Sequence, residues 1–325
     1  MIEYNPNLIL NLIDEFPRAN LIQTSAVIHK LPRLSSYLGH NVYILREDLT
    51  GFALGGNKTR KVDYLFGDAI AKNADTLVTM KATSFSRNAA AAASACGLDL
   101  HVVLNGTRSE QNPASQAFFN QCETTLHYVP EGETALEVAY TDLVKTLKTQ
   151  GKAVYELHPG GSDSIGALSY VRTFSEIIDF SLHSGIHFSH IIHSTSSAGT
   201  QAGLVIGQCI SAYDTRIIGI SASLEIRLQH VKICKLALST AHLLGVEFDE
   251  KKIIVDDKFI GPGYAMPSEK GINAVKLFAT LEGILLDQVY SGKAAGALLH
   301  YAKNKPFKDD TILFIHTGGN AGLFY

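Results

Sequence analysis

Short runs rich in valine, isoleucine and leucine recur at residues 42–45, 76–78, 100–104, 190–193, 217–220 and 312–315. Apolar runs this short predict strands buried on both faces. Between most of them lie longer amphipathic stretches at 61–71, 88–96, 134–149, 167–181, 202–212 and 270–282, which predict helices. Strands alternating with helices imply an α/β protein whose parallel sheets are covered by helices on both faces. Glycine pairs punctuate the pattern twice: Gly55-Gly56 before one predicted helix and Gly160-Gly161-Ser162-Asp163 before another, each marking a candidate domain boundary.

A chain of 325 residues is long enough for about two domains at roughly 150 residues each, with a cleft between them. The net charge of −3, from 28 basic and 31 acidic residues spread along the chain, offers no basic stripe to follow a phosphate backbone, so nucleic acid is not an expected partner. Residues 1–20 hold one short apolar run, broken by Asn11 and followed by Asp14 and Glu15, which is neither a signal peptide nor a membrane span. The four cysteines are far apart and form no C-x-x-C pair, which fits a reducing cytoplasm better than a disulfide framework or a zinc ribbon. His183, His187, His190 and His193 cluster, but His190 and His193 lie on opposite faces of a predicted strand, so no metal site is expected.

Three motifs carry candidate chemistry. Lys58 follows the first glycine pair at the start of a predicted helix, where desolvation would lower its pKa enough for Schiff-base chemistry; Lys61 and Lys81 are the local competitors. The stretch Ser196-Ser197-Ala198-Gly199-Thr200 joins a predicted strand to a predicted helix, and its small residues would let backbone N–H groups approach an anion at the helix's positive end. Taken alone, the same stretch is equally a capped turn. Thr317, in His316-Thr317-Gly318-Gly319 after the last predicted strand, offers a hydroxyl that can hydrogen-bond a pyridine nitrogen without protonating it. No G-x-G-x-x-G and no G-x-x-x-x-G-K-[ST] is present, which excludes the common nucleotide fingerprints, and Gly261-Pro262-Gly263 reads as a turn.

As a set, these motifs resemble the tryptophan-synthase-like (fold type II) enzymes of pyridoxal 5'-phosphate, and within them the D-cysteine desulfhydrase and 1-aminocyclopropane-1-carboxylate deaminase family. The likeness continues at Pro32-Arg33-Leu34, Arg46-Glu47-Asp48, Gly160-Gly161-Ser162, Ile165-Gly166-Ala167, Gly261-Pro262-Gly263-Tyr264, Tyr290-Ser291-Gly292-Lys293-Ala294 and residues 314–324, in order along essentially the whole chain. The resemblance implies a large domain of residues 1–52 and 166–325, a small domain of 53–165, and pyridoxal phosphate in the cleft between them. It implies that Lys58 carries the cofactor and moves the substrate α proton. Ser197, Ala198, Gly199 and Thr200 would hold the phosphate, Thr317 would meet the ring nitrogen, and Tyr264 and Tyr290 would line the substrate side.

In the cyclopropane deaminases of that family a glutamate follows the tyrosine matching Tyr290 and a leucine matches Thr317. Ser291 and Thr317 here favour the desulfhydrase branch. One segment departs: residues 82–88 (Ala-Thr-Ser-Phe-Ser-Arg-Asn) are about two residues shorter than the family's Gln-Ser-Asn-His region, which leaves Ser86 and Asn88 to replace its substrate and ring contacts. The resulting expectation is a cytoplasmic, homodimeric lyase acting by α,β-elimination on a small β-substituted amino acid, D-cysteine first. L-cysteate and 1-aminocyclopropane-1-carboxylate are the alternatives, and a cofactor-binding homologue without lyase activity is the rival from another class.

Overall fold

The computed structural model describes residues 4–22, 24–304, 310–319 and 323. Residues 320–322 and 324, part of the last segment of family likeness, lie outside the described residues. The strands are β1 (Ile28–Lys30), β2 (Asn41–Arg46), β3 (Thr76–Met80), β4 (Asp99–Asn105), β5 (Thr125–Val129), β6 (Val154–Glu156), β7 (His190–Thr195), β8 (Arg216–Ser221), β9 (Ile254–Asp256) and β10 (Thr311–His316). The helices are α1 (Asn7–Ile13), α2 (Pro32–Leu38), α3 (Asn57–Ala71), α4 (Ser84–Cys96), α5 (Pro113–Gln121), α6 (Glu133–Thr149), α7 (Ser164–Ser184), α8 (Gly199–Ser211), α9 (Ile226–Leu244), α10 (Glu269–Glu282) and α11 (Ser291–Lys303).

The strands form two sheets, one ordered β1-β2-β10-β7-β8-β9 and one ordered β5-β4-β3-β6. All pairings are parallel except that of β1, which runs antiparallel to β2 at the edge of the larger sheet. Period-two alternation divides the larger sheet's side chains between two cores. Leu313 and Ile315 face the core built with α1, α7, α8 and α9, whereas Ile312 and Phe314 face the core built with α2, α10 and α11. Every residue of β7 is buried, as a central strand covered on both faces requires.

The six strands expected from apolar runs are all present. β1, β5, β6 and β9 escaped that reading: three of them are three residues long, and β5 is half-buried with Thr125 and His127 in it. Helix α3 joins the two sheets, contributing Tyr64 to one core and Val62, Leu65, Phe66 and Ala69 to the other. Its Arg60 is buried between two carboxylates, with Nε 2.7 Å from Glu47 and a terminal nitrogen 3.0 Å from Glu176. That network fixes the start of α3 against the larger sheet. Among the described residues no helix is long and apolar enough to cross a membrane.

Candidate active site

The glycine pair before α3 lies directly on the turn after β10. A side chain at Gly318 would put its Cβ 2.5 Å from the Gly56 Cα, so only glycine permits this approach. Hydrogen bonds lock the junction: Gly56 N–H donates to Glu47 O (2.7 Å) and Asn57 N–H to Thr317 O (2.9 Å). The buried Thr317 is thereby brought beside the first turn of α3, which carries Lys58.

Lys58 is half-buried and donates to Ser197 Oγ at 3.1 Å and to Gly160 O at 3.3 Å. Removal from water lowers its pKa to about 8, far below an ordinary lysine. Three residues on, and so on the same face of the helix, the fully buried Lys61 donates to the same Gly160 O at 3.1 Å and to Ser162 Oγ at 3.1 Å. Burial first, and then the charge of Lys58, push the Lys61 amine well below the lysine range.

Both amines face the loop between β7 and α8. Ala198 there holds a left-handed φ of +78°, a conformation rare for a residue with a Cβ and consistent with a strained functional turn. Helix α8 begins at Gly199 with no side-chain cap, leaving the N–H groups of its first turn without a side-chain acceptor. A Cβ on Gly199 would sit 2.6 Å from Lys61 Nζ and 2.9 Å from Ser162 Oγ, so this amine rests against the bare backbone of the loop. Thr200 Oγ1 accepts from Asn57 Nδ2 at 3.0 Å, and Ser162 donates to Ser197 Oγ at 2.8 Å. Lys232, from α9, closes the far side by donating to Ser196 O at 3.2 Å. Backbone amides, three hydroxyls and converging lysine amines thus surround a loop that can cradle an anion.

The departing loop has a different arrangement. Ser86 is buried at the start of α4, where its Oγ donates to Lys81 O (2.7 Å) and accepts from Thr83 N–H (2.8 Å), completing a capping box. The hydroxyl expected to contact substrate is therefore committed to the helix cap. Asn88, two residues on, is buried and donates to Gly55 O at 3.4 Å, which places it beside the glycine pair and so beside Lys58.

Tyr264 and Tyr290 form a pair with hydroxyl oxygens 2.6 Å apart. Burial, followed by Tyr264, raises the Tyr290 phenol above its ordinary pKa, while the charge of Arg87 in α4 pulls it down. Asp287 fixes Tyr290: its carboxylate accepts from the N–H groups of Val289, Tyr290 and Ser291 at 2.7–2.8 Å, and from Ser291 Oγ at 2.5 Å. The four clustered histidines disperse. His183 lies by Asp179, His187 stacks on Tyr213, His190 lies by Asp310 and His193 is buried on β7.

The sequence profile described as "Pyridoxal-phosphate dependent enzyme" matches residues 21–318. The chain belongs to that family. D-cysteine desulfhydrase of Serratia proteamaculans (strain 568) is 38% identical over 95% of this chain and 96% of its own, and D-cysteine desulfhydrase of Yersinia enterocolitica is also 38% identical with the same coverage. A crystal structure described as an ACC deaminase homologue superposes with a TM-score of 0.87 at 33% identity, over 97% of this chain and 95% of that one. An aspartate racemase dependent on pyridoxal 5'-phosphate shares the fold alone, with a TM-score of 0.69 at 14% identity over 98% and 97% of the two chains.

The protein is a pyridoxal-phosphate-dependent lyase of the tryptophan-synthase-like fold, and its described residues fit that cofactor. A desolvated amine, the uncapped start of the 13-residue helix α8 and a second lysine amine buried against Gly199 suit a pyridine aldehyde bearing a phosphate dianion. Lys61 was legible beforehand only as a competitor to Lys58. Its i, i+3 spacing was the available signal, but the turn that swings Gly160 and Ser162 onto it lies about a hundred positions away in sequence.

Proposed function

We propose that the protein catalyses α,β-elimination of a small β-substituted amino acid, with D-cysteine the leading substrate. The observation that carries this reading is the Lys58 amine, held 3.1 Å from Ser197 Oγ at the head of the cradle with a pKa near 8, in a chain that is 38% identical to D-cysteine desulfhydrases. Ser197, Ala198, Gly199 and Thr200 would take the phosphate with Lys61, Asn88 would sit at the ring side, and Thr317 would offer its hydroxyl to the ring nitrogen. When bound, pyridoxal phosphate supplies the electron sink for negative charge at the substrate α carbon. Lys58 Nζ takes the α proton, since a base with a pKa close to ambient pH transfers protons most effectively. The Cβ–S bond then breaks with its electron pair leaving as thiolate, and the released enamine takes up water to give pyruvate and ammonia.

The tyrosine pair bounds the substrate side. Ser291 Oγ is buried and occupied by Asp287, so it adds no free acid beside Tyr290. A thiolate needs little acid assistance, whereas opening a cyclopropane ring needs a positioned acid or nucleophile, and this favours D-cysteine over 1-aminocyclopropane-1-carboxylate. One observation favours a second reading, a homologue that binds cofactor without lyase activity: the Ser86 hydroxyl is consumed by its cap. The large domain would comprise residues 1–52 and 166–325 and the small domain 53–165. An exposed apolar stripe on α9 (Leu228, Val231 and Leu238) supports a homodimer, and four free cysteines support a cytoplasmic setting.

The test is 2-oxo acid release from D-cysteine, L-cysteine, cysteate, β-chloroalanine and 1-aminocyclopropane-1-carboxylate, read as pyruvate from the first four, with sulfide from the cysteines, and as 2-oxobutanoate from the last. Pyruvate with equimolar sulfide from D-cysteine is expected. Pyridoxal phosphate binding without a 2-oxo acid from any member of the panel would leave the inactive homologue.

A further inference from the structure

Lys293 lies in the first turn of α11, three residues after Tyr290, and is fully buried. A cation at a helix N-terminus opposes the helix dipole, and a buried ammonium is costly unless it is bound tightly. No carboxylate among the described residues forms an ion pair with it; Asp287 acts on it only at longer range. Its Nζ instead donates to two main-chain carbonyls, Gly263 O at 2.9 Å and Ala222 O at 3.1 Å. The latter follows the end of β8 in the larger sheet.

Residues 261–267 form an exposed loop between the buried Phe259 and Ser268. Among the described residues, two hydrogen bonds tie this loop to the rest of the fold: Lys293 to Gly263 O, and Tyr264 to Tyr290. Tyr264 is itself 54% exposed, so little apolar burial holds it in place. The cation and the tyrosine partner stand on the same helical turn and reach adjacent loop residues.

We propose that Lys293 is a positioning residue: a fixed cation that clamps the Gly263 carbonyl to the end of β8 and so holds Tyr264 against Tyr290 at the substrate side. The assignment of that side to the tyrosine pair rests on the function proposed above; the clamp itself rests on the two carbonyl contacts.

The holoprotein carrying Lys293→Met, which keeps the length and loses the charge, is compared with wild type and with Lys293→Arg by hydrogen exchange and steady-state kinetics. Amides of residues 261–267 should exchange at least about tenfold faster in Lys293→Met, while those of α3 and α8 and the cofactor absorbance stay at wild-type values. With D-cysteine, KM should rise more than kcat falls, and Lys293→Arg should recover part of both effects. Unchanged exchange in the loop would overturn the clamp. So would failure of Lys293→Met to fold beside a folded Lys293→Arg, because Lys293 would then belong to the folding core. Turnover of none of the substrate panel by wild type would overturn the proposed function alone, since exchange is read without substrate.

Discussion

Lys58 and Lys61 direct their amines at one acceptor, the carbonyl oxygen of Gly160, at 3.3 and 3.1 Å. Burial lowers both amines, but the pair is unequal: contact with Lys61 holds the Lys58 value up, whereas the charge of Lys58 and its contact push Lys61 further down. The pair divides in its second contacts. Lys58 reaches Ser197 in the β7–α8 loop, whereas Lys61 reaches Ser162 and lies against Gly199. The geometry therefore separates a half-buried amine, Lys58, from a fully buried one, Lys61, behind the loop.

Borohydride reduction of the holoprotein followed by peptide mapping should place the cofactor on Lys58. Lys58→Ala should abolish the reducible linkage and turnover, with the far-UV spectrum unchanged. A label on Lys61 or Lys81 would reverse the assignment.

The lowered pKa of Lys58 sets a sign for the stability of the cofactor-free protein. Between about pH 8 and the ordinary lysine value of 10.5, the unfolded chain binds a proton that the folded protein has lost. Stability from this group therefore rises with pH across that window, and Lys61 acts in the same direction. Thermal melts of apo wild type and apo Lys58→Met should show the variant's relative advantage at about pH 7.5 shrinking by about pH 10. An advantage that is constant or grows with pH would contradict the desolvated amine.

Thr317→Asp should shift the cofactor absorbance and slow elimination, because a carboxylate holds a pyridine nitrogen protonated and a hydroxyl does not. Thr200→Val should instead weaken cofactor retention by roughly 1–3 kcal/mol, the range for a charge-assisted hydrogen bond. Absorbance titrations of both variants distinguish the roles. Identical behaviour of the two would remove Thr317 from the ring.

Ser86→Ala removes the hydroxyl that closes the α4 capping box, at a cost of about 0.5–1.5 kcal/mol for a lost hydrogen bond. Denaturant melts should show that loss in the cofactor-free protein, where no substrate contact is at stake. Asn88→Ala should lower turnover more than cofactor retention. A Ser86→Ala protein of wild-type stability with raised KM would return Ser86 to the substrate side.

The six short apolar runs and the glycine pairs determined by themselves the α/β class, and the glycine pair marked Lys58 as the candidate amine, because burial on both faces and access to left-handed backbone are local demands on residue type. The order β2-β10-β7 was not legible, since β10 comes last in the chain yet inserts between β2 and β7, and only the packed sheet brings Thr317 onto Gly56. Nor was the role of Ser86. A serine three residues after a threonine can close a helix cap, and only the folded loop brings the Lys81 carbonyl 2.7 Å from its hydroxyl. Lys61 and Lys293 show the same limit: a lysine in sequence is a solvated charge by default, and only tertiary structure surrounds it with carbonyls from distant segments that make its burial tolerable.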